Sequence, residues 1–215
     1  MNQRELYQII KKSASLSEFL VTRVFQSMPW IFKGDNNRYT SWRDEIANIV
    51  KINASDVFIV GSAATGYSLS PLKAGRPFRF PTELNRLPSD IDLALVCPHL
   101  FTIAWNEMIK LDRKRVLSKH VGHHWEDTWT KLEHARVNIY WGFFPSQLAA
   151  PGTTTARRLR MVFSATSRNK PFLGHRVSAR LYRRYEDMMA YHLYSIRALK
   201  ERLERSEENH ETDCN

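Results

Sequence analysis

The sequence predicts an α/β domain in which a few short strands are flanked by helices at both ends of the chain. Two apolar runs of strand length support this prediction: residues 57–60 lead into Gly61-Ser62, and residues 91–96 follow directly after Asp90. The segments on either side repeat apolar residues at helical spacing. The chain has 215 residues, of which 43% are hydrophobic, so we expect a single compact core.

The composition divides the chain into four parts. Residues 1–54 are predicted to be an N-terminal helical segment, and residues 55–150 to form the core that holds the strands. Residues 151–203 are predicted to be a C-terminal helical segment, with its longest helix over 177–203, and 204–215 a disordered tail. Because no apolar run reaches transmembrane length and the two cysteines are too few for a disulfide framework, we expect a cytoplasmic protein with no membrane partner.

Two acidic residues stand near the start of the second apolar run. Side chains alternate between the faces of a strand, so Asp90 and Asp92 point the same way, about 7 Å apart along the strand. Two such carboxylates repel each other unless a cation lies between them. Their oxygen atoms suit Mg²⁺ or Mn²⁺. The alternative is a solvated pair of aspartates on an edge strand.

A glycine-serine pair follows the first apolar run. Gly61 allows a tight turn and lets a phosphate approach the backbone, and Ser62 adds a hydroxyl donor at the same place. Thr65 lies in the helix predicted to follow this turn and is a candidate nucleotide contact. The alternative for Thr65 is a structural one, because hydroxyl groups near the start of a helix commonly cap it.

Taken together, Gly61-Ser62 and the sequence SDIDL at 89–93 resemble the signature of the nucleotidyltransferase-fold superfamily, whose members share a DNA polymerase β-like palm. The resemblance covers roughly residues 55–142. It implies a small mixed β-sheet, a bound Mg²⁺ or Mn²⁺, and transfer of a nucleoside monophosphate from an NTP to an acceptor hydroxyl. The residues that it implies are Asp90 and Asp92 for the metal and catalysis, and Gly61, Ser62, Thr65 and Ser89 for the nucleotide.

A third strand is predicted over residues 135–142, with Val137, Ile139 and Trp141 on one face. In the superfamily the corresponding strand usually carries a third catalytic carboxylate, and the matching position here is Asn138. An asparagine can offer a carbonyl oxygen to a cation but cannot act as a base. Two interpretations stay open: either the enzyme works with two carboxylates, or the fold is kept and the chemistry is lost.

The chain carries a formal net charge of +10, which favours polyanionic partners such as RNA, DNA and nucleotides. The alternative is a basic surface that serves only solubility. The candidate phosphate-binding or nucleic-acid-binding residues are Lys73, Arg76 and Arg79 in a proline-rich segment, Arg113 and Lys114 in a helix predicted over 100–119, and Arg180, Arg183 and Arg184 at the start of the last helix.

Three functional hypotheses follow from these residues. The first is a nucleotidyltransferase that modifies RNA or another nucleic acid, as a bacterial toxin or defence component; the net charge favours it. The second is a nucleotidyltransferase that acts on a small molecule or on another protein. The third is a catalytically impaired protein of this fold that binds nucleotide, nucleic acid or a partner protein; Asn138 favours it.

Overall fold

A computed structural model describes residues 3–81, 87–117 and 137–212. These residues form an α/β fold with a mixed four-stranded sheet in the order β1-β2-β4-β3. The strands are β1 (Val57–Val60), β2 (Ile91–Val96), β3 (Phe143–Pro145) and β4 (Val177–Tyr182). Strand β1 is antiparallel to β2, β2 is parallel to β4, and β3 is antiparallel to β4. The predicted fold class, a small mixed sheet flanked by helices, is therefore confirmed.

The helices precede, separate and follow the strands. They are α1 (Gln3–Lys12), α2 (Leu16–Leu20), which continues as a π-helical turn (Val21–Phe25), α3 (Asn36–Val50), α4 (Ser62–Thr65), α5 (Pro98–Leu117), α6 (Thr154–Arg168) and α7 (Tyr185–Thr212). Short 3₁₀ turns occupy Trp30–Phe32, Ala54–Asp56, Pro71–Lys73, Ser146–Leu148 and Lys170–Phe172. Among the described residues, no helix is both long and apolar enough to cross a bilayer.

Side chains cap three of these helices at their first turn. The side chains of Ser15, Asp35 and Thr153 each accept a hydrogen bond from a backbone N–H three residues later, at the starts of α2, α3 and α6. Each cap satisfies one of the N–H groups that the first turn leaves without an intrahelical acceptor.

The sheet separates two helical layers. Helices α3, α5 and α6 contact one face, whereas α7 and the π-helical turn contact the other. The register places Asp92 beside Ser178, and these side chains lie on the α7 face because Tyr182, four residues after Ser178, packs on Tyr191 of α7. Leu93 alternates with Asp92 and is buried on the α3 and α6 face. The α7 face of the sheet therefore carries the polar residues Asp92 and Ser178 together with apolar ones such as Phe58, which packs on Phe25 and Tyr185.

The predicted third strand is wrong. Residues 137–140 are helical, Gly142 turns the chain, and the strand begins only at Phe143; residues 135 and 136 lie outside the described residues. Of the three residues expected on one buried strand face, only Ile139 is buried, while Val137 and Trp141 are 57% and 62% exposed. One buried residue in a stretch of four suits a single surface turn of helix better than a strand packed on a core.

The predicted helix over 177–203 is also wrong at its start. Residues Val177–Tyr182 form β4, in the middle of the sheet between β2 and β3, and α7 begins only at Tyr185. Val177, Ala179 and Leu181 alternate with more polar residues, which is the period of a strand. Apolar residues at helical spacing around them concealed this strand period. Helix α7 then runs to Thr212, through most of the segment that was predicted to be a disordered tail.

A carboxylate fixes the junction between β4 and α7. Arg183 Nε and Arg184 Nη2 donate hydrogen bonds to Asp187, at 3.0 and 3.1 Å, and Arg183 N donates to the carbonyl of Gly142 at 2.9 Å. Burial raises the pKa of Asp187, but the hydrogen bonds from the two arginines outweigh it and hold this pKa below its ordinary value. A Cβ on Gly142 (φ +78°) would lie 2.5 Å from Asp187 Oδ2. Gly142 therefore lets the chain pass the buried carboxylate.

We expect Gly142→Ala to destabilise the protein more than Gly152→Ala. Both glycines have positive φ, but a Cβ on Gly152 meets nothing within 4 Å, so this variant carries only the backbone strain of about 1–2 kcal/mol. Gly142→Ala must also displace Asp187 from its two arginines, for a further loss of about 2 kcal/mol or more. Urea unfolding of both variants measures the difference. Equal stabilities would show that the contact with Asp187 is unimportant.

Candidate active site

A cleft of about 770 Å³ opens on the α7 face of the sheet, where β1 ends and β2 begins. Its lining comes from α2 and the π-helical turn, the turn after β1, the proline-rich segment, strands β2 and β4 with the residues just before them, and one side of α7. It brings together nine residues that the sequence singled out: Gly61, Ser62, Lys73, Arg76, Arg79, Ser89, Asp90, Asp92 and Arg180. Residues more than 100 positions apart in the chain therefore share one cavity.

The glycine turn and the acidic pair meet because β1 and β2 are antiparallel. Val60 is paired with Asp92, so Gly61 follows directly beside the Asp92 carboxylate. Gly61 has φ +66° and ψ −149°, and a Cβ there would lie 3.4 Å from Asp92 Oδ2. Glycine adopts this backbone conformation without strain because it has no Cβ. Asp90 is exposed just before β2, and Asp92 is half-buried within it.

Ser178 orients the inner carboxylate, and sequence reasoning missed it. It is the β4 residue paired with Asp92, and its hydroxyl donates a hydrogen bond of 2.5 Å to Asp92 Oδ1. Asp92 Oδ2 is the oxygen beside Gly61. The two oxygens of Asp92 thus have different neighbours, one a protein donor and the other the glycine turn. The alternation of polar and apolar residues at 177–182 was the signal that pointed to Ser178.

The strand beside the acidic pair carries no third acid. Strand β4 contributes Ser178 and Arg180 on the cleft face, and Asn138 lies outside the cleft lining, in the helical turn at 137–140. Within the described residues, no group of three or more His, Cys, Asp or Glu side chains is placed to hold a metal ion. Two carboxylates still fit Mg²⁺, which proteins commonly bind through one or two carboxylates together with substrate phosphates and water.

Basic side chains outnumber the acids in the cleft lining. Its five cationic residues are Lys73, Arg76, Arg79, Arg176 and Arg180, against the two aspartates. Arg176 belongs to the same arginine cluster in the sequence as Arg180, Arg183 and Arg184, and it directly precedes β4. The Arg180 guanidinium lies over the Tyr191 ring, 5.0 Å from its centroid, which holds it by a cation–π interaction. An anion that enters the cleft therefore meets positive charge on more than one side.

The parts of the proline-rich segment on either side of residues 82–86 are hydrogen-bonded to each other. Arg79 N donates to Ser89 Oγ at 3.0 Å, and Ser89 N donates to the Arg79 carbonyl at 3.0 Å. Phe78 is buried and packs on Trp30 and His175, with ring centroids 5.7 and 4.9 Å apart. The segment thus packs through Phe78 while its basic residues line the cleft. Residues 82–86 lie outside the described part of the chain.

Helix α7 supplies the wall opposite the glycine turn, through Tyr191, His192 and Ser195. The His192 ring packs edge-on against Phe25 and Tyr191, at 5.4 and 5.3 Å between centroids. Its Nε2 atom is fully buried and has no hydrogen-bond partner among the described residues. Burial, assisted by the positive charge of Arg180, lowers the pKa of His192 to about 3, so this wall is uncharged at neutral pH. Helical periodicity alone gave no sign of this role.

Thr65, Arg183 and Arg184 were also predicted site residues, but they lie outside the cleft lining. Thr65 is buried at the end of α4, and its hydroxyl donates to the Tyr67 carbonyl at 2.6 Å, so it has a structural role but does not cap the start of the helix. Arg183 and Arg184 pair with Asp187. The side chains of Arg113 and Lys114 lie outside the described residues, although the backbone of α5 is described to Leu117.

No protein-family model, no curated protein and no solved structure matches this chain. The kinship with nucleotidyltransferases remains a resemblance between short motifs. Function has to be inferred from what the cleft residues can do together: two carboxylates beside a glycine turn, surrounded by cations.

We expect His192→Phe to weaken the pH dependence of stability between pH 6.5 and 5. The pKa of His192 falls from its ordinary value of 6.5 to about 3 on folding because the ring is buried, so in this window the unfolded chain binds a proton that the folded protein does not. Stability is therefore lost as pH falls, by about 1.4 kcal/mol per pH unit for one such group. Asp187, with its lowered pKa, contributes only at still lower pH.

The measurement is urea unfolding of wild-type protein and His192→Phe at intervals between pH 6.5 and 5. The phenylalanine preserves an aromatic ring between Phe25 and Tyr191 but binds no proton. The variant should show the shallower slope. If both proteins lose stability at the same rate, His192 is not buried in its neutral form.

Proposed function

We propose that the protein is a metal-dependent nucleotidyltransferase that moves a nucleoside monophosphate from an NTP to an acceptor hydroxyl. The observation that supports this most directly is the β1–β2 register, which sets Gly61 and Ser62 beside Asp90 and Asp92 in one cleft. A phosphate-binding turn and a pair of metal-binding carboxylates are the two parts that phosphoryl transfer from an NTP requires.

The chain's own residues have separate parts in this reaction. Asp90 and Asp92 would hold a Mg²⁺ or Mn²⁺ ion, with Ser178 keeping the Asp92 carboxylate in position. When bound, such an ion would neutralise negative charge on the phosphate oxygens. The backbone at Gly61 and the hydroxyl of Ser62 bind the β- and γ-phosphates. Arg176 and Arg180 stabilise negative charge from the β4 side.

In the reaction, a bond forms between the acceptor oxygen and the α-phosphorus, and the bond between the α-phosphorus and the bridging oxygen breaks, so that pyrophosphate leaves. The hydroxyl proton passes to water. The step written here needs no third carboxylate, because water takes up the proton and the arginines of the cleft would stabilise the charge on the phosphate oxygens. This accounts for a cleft in which β4 presents Ser178 and Arg180 instead of an acid.

The excess of cations in the cleft favours a polyanionic acceptor, and we propose RNA or another nucleic acid. One observation favours a second candidate function, in which the protein binds nucleotide or nucleic acid without transfer. That observation is the lack of a third acid on the strand beside Asp92.

We expect Asp90→Asn and Asp92→Asn each to reduce nucleotide transfer by at least about 100-fold, because each removes a negative ligand of the metal that stabilises the transition state. The control is Asp44→Asn, which removes the same charge from an exposed position on α3, away from the cleft. Labelled NTPs, Mg²⁺ or Mn²⁺ and total RNA are incubated with each protein, and label in RNA, protein and small molecules is measured.

Label on RNA that depends on both aspartates supports the proposed function. Label on protein or on a small molecule points to another acceptor. Saturable NTP binding without any label supports the second candidate. Transfer at the wild-type rate by the Asp90→Asn, Asp92→Asn double variant contradicts the assignment of the active site.

We expect Arg180→Gln to weaken NTP binding by about 10- to 100-fold, since a charge-assisted hydrogen bond to phosphate is worth about 1.5–3 kcal/mol. Arg197→Gln is the matched control, because Arg197 is exposed on α7 and lies outside the cleft lining. Calorimetric titration with an NTP and Mg²⁺ measures both dissociation constants. Equal affinities of the two variants would remove Arg180 from the phosphate site.

A further inference from the structure

A second concave surface lies on the opposite side of the sheet, between α3 and α6. Its volume is about 750 Å³, and its lining residues include Arg157, Arg158, Arg160 and Arg168 of α6 and Glu45 of α3. We call it the arginine groove. It shares no lining residue with the cleft, and α3 and α6 contact the other face of the sheet from α7. The two sites are therefore separate.

The arginines run along one side of α6. Arg157, Arg160, Ser164 and Arg168 follow one another at intervals of three or four residues, so they form a stripe on one helix face. The stripe extends over about 16 Å at the rise of an α-helix. Arg157 and Arg160 are exposed, and neither has an acidic partner in the part of the chain that the structure describes. With respect to the described residues, both guanidinium groups are therefore open to a ligand.

The other two arginines are partly engaged. Arg158 Nη1 donates to the Ile49 carbonyl at 2.9 Å, which holds α6 against α3. Arg168 Nη2 pairs with Glu45 at 3.2 Å, but the two side chains are 69% and 42% exposed, so water screens this pair. Four arginines and one glutamate leave the lining of the groove with a net charge of +3. A negatively charged ligand is therefore the one that fits.

The rest of α6 argues against a membrane surface as that ligand. Leu159, Val162 and Ala165 on the opposite side of the helix are buried in the protein core. The apolar residue of α6 that is exposed at the groove is Met161, at 47%. A helix that lies in a bilayer interface needs an exposed apolar face to insert, whereas the apolar face of α6 is buried in the protein core.

We propose that the arginine groove binds the sugar-phosphate backbone of a single-stranded nucleic acid. Arginine forks bind phosphate oxygens in a bidentate manner, and a stripe of this length spans several phosphates of one strand. Contacts of this kind position a strand without reading its sequence. The proposal does not depend on nucleotide transfer, because the groove and the cleft have no residue in common.

The test is fluorescence anisotropy with labelled 20-nucleotide RNA and DNA single strands, in EDTA and without NTP, at a series of salt concentrations. The variant is Arg157→Gln, Arg160→Gln, and the matched control is Arg23→Gln, Arg197→Gln. The control removes the same charge from exposed positions outside both sites.

We expect the groove variant to lose about 1.4 from the slope of log K against log salt, which is about 0.7 per phosphate contact on a single strand. Its affinity at 50 mM salt should fall about 10- to 100-fold, whereas the control should bind like the wild type. A preference for RNA or for DNA shows which of the two nucleic acids the groove binds. Thermal melting checks that both variants are folded.

Equal binding by the groove variant and the control overturns the proposal. So does binding of phosphatidylserine vesicles or polyglutamate through Arg157 and Arg160 without binding of either oligonucleotide. The Asp92→Asn protein is measured in parallel. If it keeps oligonucleotide binding but the wild type transfers no nucleotide, the groove stands and only the proposed transferase function fails.

Discussion

The antiparallel pairing of β1 with β2 is the interaction on which the candidate site depends. In the observed register Val60 faces Asp92, and the chain turns at Gly61 directly beside that carboxylate. A slip of one residue would turn Asp92 to the other face of the sheet, where Leu93 is now buried, and would place a charge among apolar side chains. Burial of the apolar residues of β2 on the opposite face therefore fixes the register that places Asp92 in the cleft.

Strand β4 completes the site and sets its electrostatic character. As the parallel neighbour of β2, it places Ser178 against Asp92 and Arg180 further along the same face. Around the two carboxylates the cleft is lined with five cations. Carboxylates attract a divalent ion while arginines attract phosphate, so the two sets of charges fit a metal-bound triphosphate better than either component alone.

The sheet also keeps two anion-attracting surfaces apart. The cleft lies on the α7 face, whereas the arginine groove lies between α3 and α6, which cover the other face. Each surface holds part of the positive charge of the chain, and the two differ in their chemistry. The cleft has acids and a glycine turn, whereas the groove has arginines and one glutamate.

The sequence alone determined the two motif strands, the glycine turn and the acidic pair, because these signals are local: a short apolar run, a residue that accepts positive φ, and alternation along one strand. It also indicated the basic residues of the proline-rich segment. Tertiary structure alone decided that residues 177–182 form a strand, since their pattern suits a helix as well and only the hydrogen bonds to β2 select the strand. Ser178 and His192 reached the site through that long-range pairing and through the packing of α7; the alternation at 177–182 was compatible with a strand, but nothing local shows that Ser178 would lie beside Asp92.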